Sequence, residues 1–355
     1  GAANTCVGYL AGSAITDHSN NTFIGNTAGE ASTGASNVAV GSNSFKASGA
    51  ADDNVCVGTS AGAAITDGPG NVLIGKSAGA AMTTCDYNVA VGHSALTALT
   101  TNSHNNIAIG FASLFTQSAD QSGGSITDGT VNSIAIGRNS LYTQNHADAI
   151  NLAMGYNAGF AVTDGTGNVL AGHEAGSAIT TGDNNTALGY NALKAATGSS
   201  NTVIGHEALK GACTGDYNVA IGKNALNAAA AAMTGNVVMG VSALKHLNHA
   251  DGDYNIAIGM NAGRFYETDA TSTPGSATQD GNNTEGFNSI FIGYDTRSAE
   301  RDRSNEIVIG HTAVSNGSNT ITLGNDDTAA IHCADTSIAA LSDRRIKRDI
   351  KDTNV

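Results

Sequence analysis

The chain has 355 residues with 45 Gly, 2 Pro and no Trp, and only 5% are aromatic and 13% charged, which is poor material for one large globular core. A formal net charge of −14 at pH 7 predicts repulsion from nucleic acid and from anionic membrane surfaces. No apolar run is long enough to insert into a bilayer, no signal peptide is present, and the sequence begins inside a repeat without Met, as a fragment or a processed piece would.

From its first residues the chain repeats one phrase. Its clearest copy is Asn218-Val219-Ala220-Ile221-Gly222 followed by Lys223-Asn224-Ala225-Leu226. The closing glycine occurs eighteen times, from Gly8 to Gly324, with most neighbours 16 to 19 residues apart. One gap is 27 (Gly110 to Gly137), the last is 14, and one is 34 (Gly259 to Gly293), which reads as a coil whose phrase has been lost. A fixed short period predicts a stacked solenoid whose coils contact only their neighbours. Eighteen or nineteen coils at about 4.8 Å per layer would extend roughly 90 Å.

Within each copy, Asn stands four residues before the glycine, as at Asn4, Asn21, Asn37 and Asn54, or one place earlier where that position is Ser133, Ser289, Glu306 or Thr320. Asn suits a tight corner because it tolerates the left-handed backbone conformation. Stacked at one corner, the amides can also bond along the rod as a ladder. The three residues between Asn and Gly have β period. The one before Gly is always apolar (Val7, Ile24, Val40 and onward), and the middle one is apolar in every copy except Thr322. Alternate residues of a strand face opposite sides, so both faces are dry. A single solenoid uses only its inner face; the outer face needs a second body, most simply copies of the same rod.

After most of the glycines, three residues on, comes Ala or Ser and then Gly or Leu, as in Ala11-Gly12, Ala95-Leu96 and Ala208-Leu209. This predicts a second short strand with its small residue facing in. The return limb is polar and turn-rich, for example Thr66-Asp67-Gly68 and Thr163-Asp164-Gly165, and is expected to face solvent. Inserts at 111–131 and 264–288 break the rhythm; protruding loops on a rigid scaffold are where binding tends to live, although an insertion is also simply tolerated. The cysteines Cys6, Cys56, Cys85, Cys213 and Cys333 are odd in number, far apart and without any CxxC, and read as small buried hydrophobes.

Candidate chemistry is sparse. His93, His173, His206 and His311 all follow the glycine, but Tyr, Lys, Asn and Phe take the same place elsewhere, so they read as surface-lining residues before metal ligands. His246 and His249, three apart, could share a helical or turn face but do not make a metal-ligand set by themselves, and Asp52-Asp53 and Asp326-Asp327 read as turn acids before calcium ligands. A left-handed β-helix acyltransferase needs an apolar residue every six, and Lys210 and Asp216 break that pattern. A polysaccharide depolymerase needs clustered carboxylates or aromatic platforms, and neither is evident along the chain. No cofactor or metal is expected.

Asn-Ile-Ala-Ile-Gly at 106–110 and 255–259, and Asn132-Ser133-Ile134-Ala135-Ile136-Gly137, resemble the head repeats of trimeric autotransporter adhesins, which form trimeric left-handed β-rolls from repeats near 14 residues. At the other end, Ser318-Asn319-Thr320-Ile321-Thr322-Leu323-Gly324-Asn325, Ile331-His332-Cys333 and Leu341-Ser342-Asp343-Arg344-Arg345-Ile346-Lys347-Arg348-Asp349-Ile350 resemble the junction between a phage tail fibre and the endosialidase-type intramolecular chaperone. That resemblance implies a C-terminal domain that assembles three chains and then cuts itself off, with Ser342 as nucleophile, Asp343 just beyond the cut and Lys347 as base. A neutral lysine can serve if adjacent cations such as Arg345 and Arg348 depress its pKa. A solvated, charged helix start is the plainer account of the same run.

Together these readings predict an all-β, left-handed parallel β-roll or β-solenoid of about 17-residue coils, forming a homotrimeric fibre. Its shaft is 1–324, its terminal β junction 325–342, and the start of a self-cleaving chaperone 343–355. The expected role is a virion tail fibre that binds a host surface receptor, glycan or protein, alongside other virion tail proteins. It would turn over no substrate, apart from a single self-cleavage. The alternative is a bacterial surface adhesin or extracellular filament.

Overall fold

The computed structural model describes residues 1–47, 49–98, 101, 103–115, 132–144, 150–229, 232–247, 249, 252–264, 288–299 and 303–328. Among these there are eighteen three-residue strands in one sheet, from β1 (Thr5–Val7) to β18 (Ile321–Leu323), and no helix. Each strand pairs in parallel with the strand of the next coil: β12 (Thr202–Ile204) lies on β13 (Val219–Ile221) with Thr202 opposite Val219 and Ile204 opposite Ile221. The chain is therefore a parallel β-solenoid of about 17-residue coils. At about 4.8 Å per layer, eighteen stacked strands span roughly 80 Å.

One apparent coil is absent from the stack. β15 (Ile256–Ile258) pairs directly with β16 (Ile290–Ile292), Ile256 opposite Ile290, so the 34-residue gap is an insertion from a single coil and not a coil that lost its phrase. The predicted second strand is also corrected. The residues after each of the first fifteen glycines, Gly8 to Gly259, form a turn with left-handed backbone at the second and fourth positions, as at Asn224 (φ 57°) and Leu226 (φ 50°); near the end of the stack Arg297 and Val314 instead make a parallel bridge. Alternating left-handed residues cannot pleat. They still stack, because Asn224 N–H donates to His206 C=O and Leu226 N–H to Ala243 C=O. The small residue does face inward, and Ala225 is fully buried.

The middle strand residue lines each coil's own interior, and its two neighbours point out. In several coils the large core side chain comes from one of two places; Val203 with Leu209 and Val238 with Leu244 use both, and where Cys56 meets Gly62 or Ala153 meets Gly159, Ile65 or Val162 fills the coil from further round the turn. Where the strand gives Phe23, Leu73 or Leu170, the inward turn position is Gly29, Gly79 or Gly176; where the strand gives Ala39, Ala90 or Ala220, that position is Phe45, Leu96 or Leu226. The exclusion is steric, since a Cβ on Gly29 would sit 2.6 Å from the Phe23 ring. Close packing allows no overlap and leaves no void to fill. Cys56, Cys85 and Cys213 are buried as expected, whereas Cys6 is exposed, because its coil is the first of the stack and has no layer on one side; Cys333 lies outside the described residues.

The buried asparagines form the expected ladder. Most Oδ1 atoms accept two bonds from the next coil: Asn185 Oδ1 takes the Asn201 backbone N–H at 2.9 Å and its Nδ2 at 3.2 Å. Where Ser133 replaces Asn, Gln144 reaches in from the turn, donating to Ser133 Oγ at 2.8 Å and accepting from Asn151 Nδ2 at 3.1 Å. Buried polar groups must be satisfied, and the substitute amide does so.

Near the end of the stack the ladder position is Glu306, fully buried, with Ser315 Oγ donating to its Oε1 at 2.7 Å. Burial raises its pKa above the ordinary carboxyl value, opposed by Ser315, Ser298 and Arg303. The folded protein thus holds this proton more tightly than the unfolded chain. The stabilisation is complete below the unfolded value of about 4.3 and is lost as pH rises through the raised one. The last coils are therefore expected to show larger amide-exchange protection factors at about pH 4 than at about pH 8, and Glu306→Gln should remove the difference. A pH-independent protection of these coils in the parent would contradict the assignment.

Candidate functional site

Three surfaces run the length of the rod. The first is the outward face of the sheet, built from the first and third residues of each strand. Those 36 positions are Val, Ile, Leu, Met or Ala except for Thr5, Thr22, Thr186 and Thr202. Large apolar groups stand partly in water there: Ile204 is 37% exposed, Met239 40% and Met154 44%. A shallow groove of about 300 Å³ crosses the face between Ile134, Leu152 and Val169, closed on one side by Ile150. An exposed apolar stripe of this extent marks an interaction surface.

The second and third surfaces appear only when charges are placed in the frame of the coil. Among the described residues up to 264, every lysine and arginine (Lys46, Lys76, Arg138, Lys194, Lys210, Lys223, Lys245 and Arg264) stands one or five places after the closing glycine. That band carries eight cations against three carboxylates, Glu30, Glu174 and Glu207. The return limb carries nine aspartates and no lysine or arginine over the same residues. Its aspartates hold turns: Asp52 Oδ1 accepts the Ala35 N–H, and Asp183 Oδ1 the Thr166 N–H at 2.7 Å. The three carboxylates of the band are paired, with Lys46 to Glu30 at 3.8 Å, Lys194 to Glu174 at 2.5 Å and Lys210 to Glu207 at 2.7 Å.

Aromatic rings share the band. Because each coil places its post-glycine residue above the last, side chains many residues apart in sequence become neighbours. His93 stacks on Phe111 at 5.3 Å, Arg138 lies 5.3 Å over the same Phe111, and Tyr156, His173, Tyr190 and His206 form an unbroken stack with centroids 4.9 to 5.1 Å apart. Four places further round the turn, Phe115, Tyr142 and Phe160 make a second stack. Aromatic residues do cluster here, contrary to the reading of the linear sequence. Their faces are closed against one another, so what meets solvent is ring edges, phenol hydroxyls and imidazole nitrogens.

The remaining candidates resolve singly. His93, His173 and His206 line the surface as stack members, and His311 stacks on Tyr294. Burial, together with Lys245 and Arg264, pushes His246 down to about 4, so it is neutral at pH 7. Among the described residues no three His, Cys, Asp or Glu side chains converge as a metal site, and no helix is long and apolar enough to cross a membrane. A cavity of about 580 Å³ opens at the last coil between Arg297, Val314, Ile321 and Asp326, where the chain runs on. Ser342, Asp343 and Lys347 lie outside the described residues, as do 116–131 and 265–287 of the two inserts.

No protein-family model matches the chain, and no curated protein matches it in sequence.

Proposed function

We propose that this chain is the shaft of a homotrimeric virion tail fibre that attaches the particle to a host cell surface. The observation that carries the reading is the outward apolar face. A strip about 80 Å long and roughly 10 Å wide offers on the order of 800 Å² per chain, the contribution of one partner to a standard stable interface. Its positions include no charged residue, so covering it leaves no ion unpaired. A copy of the same rod matches it in length and period, and the resemblance of the phrase to trimeric adhesin heads supplies the number three. The rod itself, stiffened by backbone bonds in every layer, suits reach and not turnover.

Placing aspartate on this face tests the reading without touching the coil interior. Ile204→Asp with Ile221→Asp is expected to convert the assembly to single chains by sedimentation while leaving the far-ultraviolet spectrum unchanged, since a charge buried at an interface costs several kcal/mol unless it is paired. An unchanged mass would remove the face from the interface.

The C-terminal resemblance adds an assembly step. The resemblance implies that water hydrolyses the Ser342–Asp343 bond once three chains have come together, with Ser342 as nucleophile and Lys347 as base, releasing a fragment that begins at Asp343. In the gene product carried through its complete C-terminus, Ser342→Ala should keep the chain whole on denaturing gels. Normal cleavage of that variant would exclude Ser342 as the nucleophile.

A further inference from the structure

We infer that the cationic and aromatic band is a binding strip for an acidic polysaccharide lying along the rod. The inference rests on the attachment reading for its purpose, but its chemistry stands on the band alone. From Lys76 to Lys223 the post-glycine column runs through nine consecutive coils, about 40 Å, without a carboxylate. Six of those nine positions carry a lysine, an arginine or a histidine. The whole chain is anionic, so this alignment is a local field of opposite sign, directed by the register of the stack and not by composition.

Two features select the class of ligand. Ring faces in the column are stacked on one another at about 5 Å and leave no slot for a nucleobase, whereas the exposed edges of Tyr156 and Tyr190 can meet sugar hydroxyls. The fixed cations of the column, Lys76, Arg138 and Lys223, stand at its first, fourth and ninth coils, far sparser than the phosphate charge of duplex nucleic acid at about 1.7 Å. A linear polymer with one carboxylate on some or all of its sugars fits that spacing; a polyphosphate does not. Lys76, Arg138 and Lys223 make no ion pair among the described residues, so their charges are available to such a ligand. Glu174 and Glu207, the acids nearest the column, are already engaged by Lys194 and Lys210.

The experiment uses the intact protein with immobilised polygalacturonate, with neutral dextran as the comparison polymer. The parent should bind polygalacturonate at low salt, release it as salt rises, and ignore dextran. The triple variant Lys76→Gln, Arg138→Gln, Lys223→Gln should bind about tenfold more weakly or worse and with a shallower salt dependence. Removing equal charge from the return limb, by Asp17→Asn, Asp67→Asn and Asp164→Asn, should leave affinity within about twofold. Undiminished binding by the lysine and arginine variant overturns the inference, as does equal retention on dextran or tighter binding to single-stranded DNA. Sedimentation of the same variant separates this question from assembly: a changed mass would place the three cations in the subunit interface and also overturn the strip, whereas loss of binding at unchanged mass supports it. A parent that sediments as a single chain yet binds polygalacturonate would leave the strip standing and remove the trimer.

Discussion

Gly205→Ala is expected to break the solenoid into two separately melting blocks. Gly205 has φ +137°, a conformation open to glycine and strained for any L residue, and a Cβ there would lie 2.6 Å from Gly222 C=O oxygen and 2.7 Å from its carbon. Both atoms are backbone of the next coil, held in turn by Gly222 N–H donating to Ile204 C=O at 2.8 Å. Nothing flexible can give way. Strain of about 1–3 kcal/mol adds to the lost bonds of the displaced layer, for a total of several kcal/mol. In a stack whose coils contact only their neighbours, that loss concentrates at one junction. Hydrogen exchange should show loss of protection at Gly205 and Gly222, with distant coils near Val55 and Ile290 unaffected. Lys223→Ala, exposed in the turn of the neighbouring coil, should melt like the parent. A Gly205→Ala protein that also melts like the parent would show that the glycine column does not set the layer spacing.

Asn185→Ala should cost about as much, by a different route. The Asn185 amide takes the backbone N–H and the Nδ2 of Asn201 on its oxygen, and donates from Nδ2 to Gly198 C=O at 2.9 Å and to Asn168 Oδ1 at 3.1 Å. Alanine removes four bonds and strands a buried backbone N–H and a buried carbonyl, each at about 1–3 kcal/mol, so that roughly 2–6 kcal/mol is expected. Asn185→Asp keeps the acceptor for Asn201 but turns a second oxygen toward Gly198 C=O and Asn168 Oδ1. It should be rescued in part at low pH, where a protonated carboxyl can donate one bond. Thermal melts of the two variants across pH check this: the alanine variant should show no pH-dependent recovery, and recovery of both would point away from the ladder.

Much of this architecture could be read from the chain because the solenoid imposes one environment per position. The recurring closing glycine, with Asn four or five residues before it, placed all eighteen strands, since the glycine ends each strand at a corner its backbone can turn. The Asn ladder was legible for the same reason: one amide per coil at one corner has only its counterpart in the next coil to bond. Which strand face lines the interior was not legible, because Ala220 and its neighbours Val219 and Ile221 are all apolar. The signal lay in volume, in the pairing of Phe23 with Gly29 and of Ala220 with Leu226, which a hydrophobic pattern does not register.

The turn after the glycine was misread as a strand because Ala225 and Leu226 are good core residues in either geometry; the left-handed φ of Asn224 and Leu226 decides it. The 34-residue gap misled through arithmetic, being twice seventeen, and only the pairing of Ile256 with Ile290 shows that no layer intervenes. The charge-segregated band was hidden because Lys194 and Asp183 are near in sequence and on different sides of the coil. Composition records their sum and not their placement.

Sedimentation equilibrium of the purified chain at micromolar concentration tests the central claim most directly. The account predicts a mass three times 35.4 kDa that persists on dilution, because three apolar strips are covered only when three rods share an axis. A single-chain mass, with Ile204 and Ile258 left in water on a stable monomer, would contradict it.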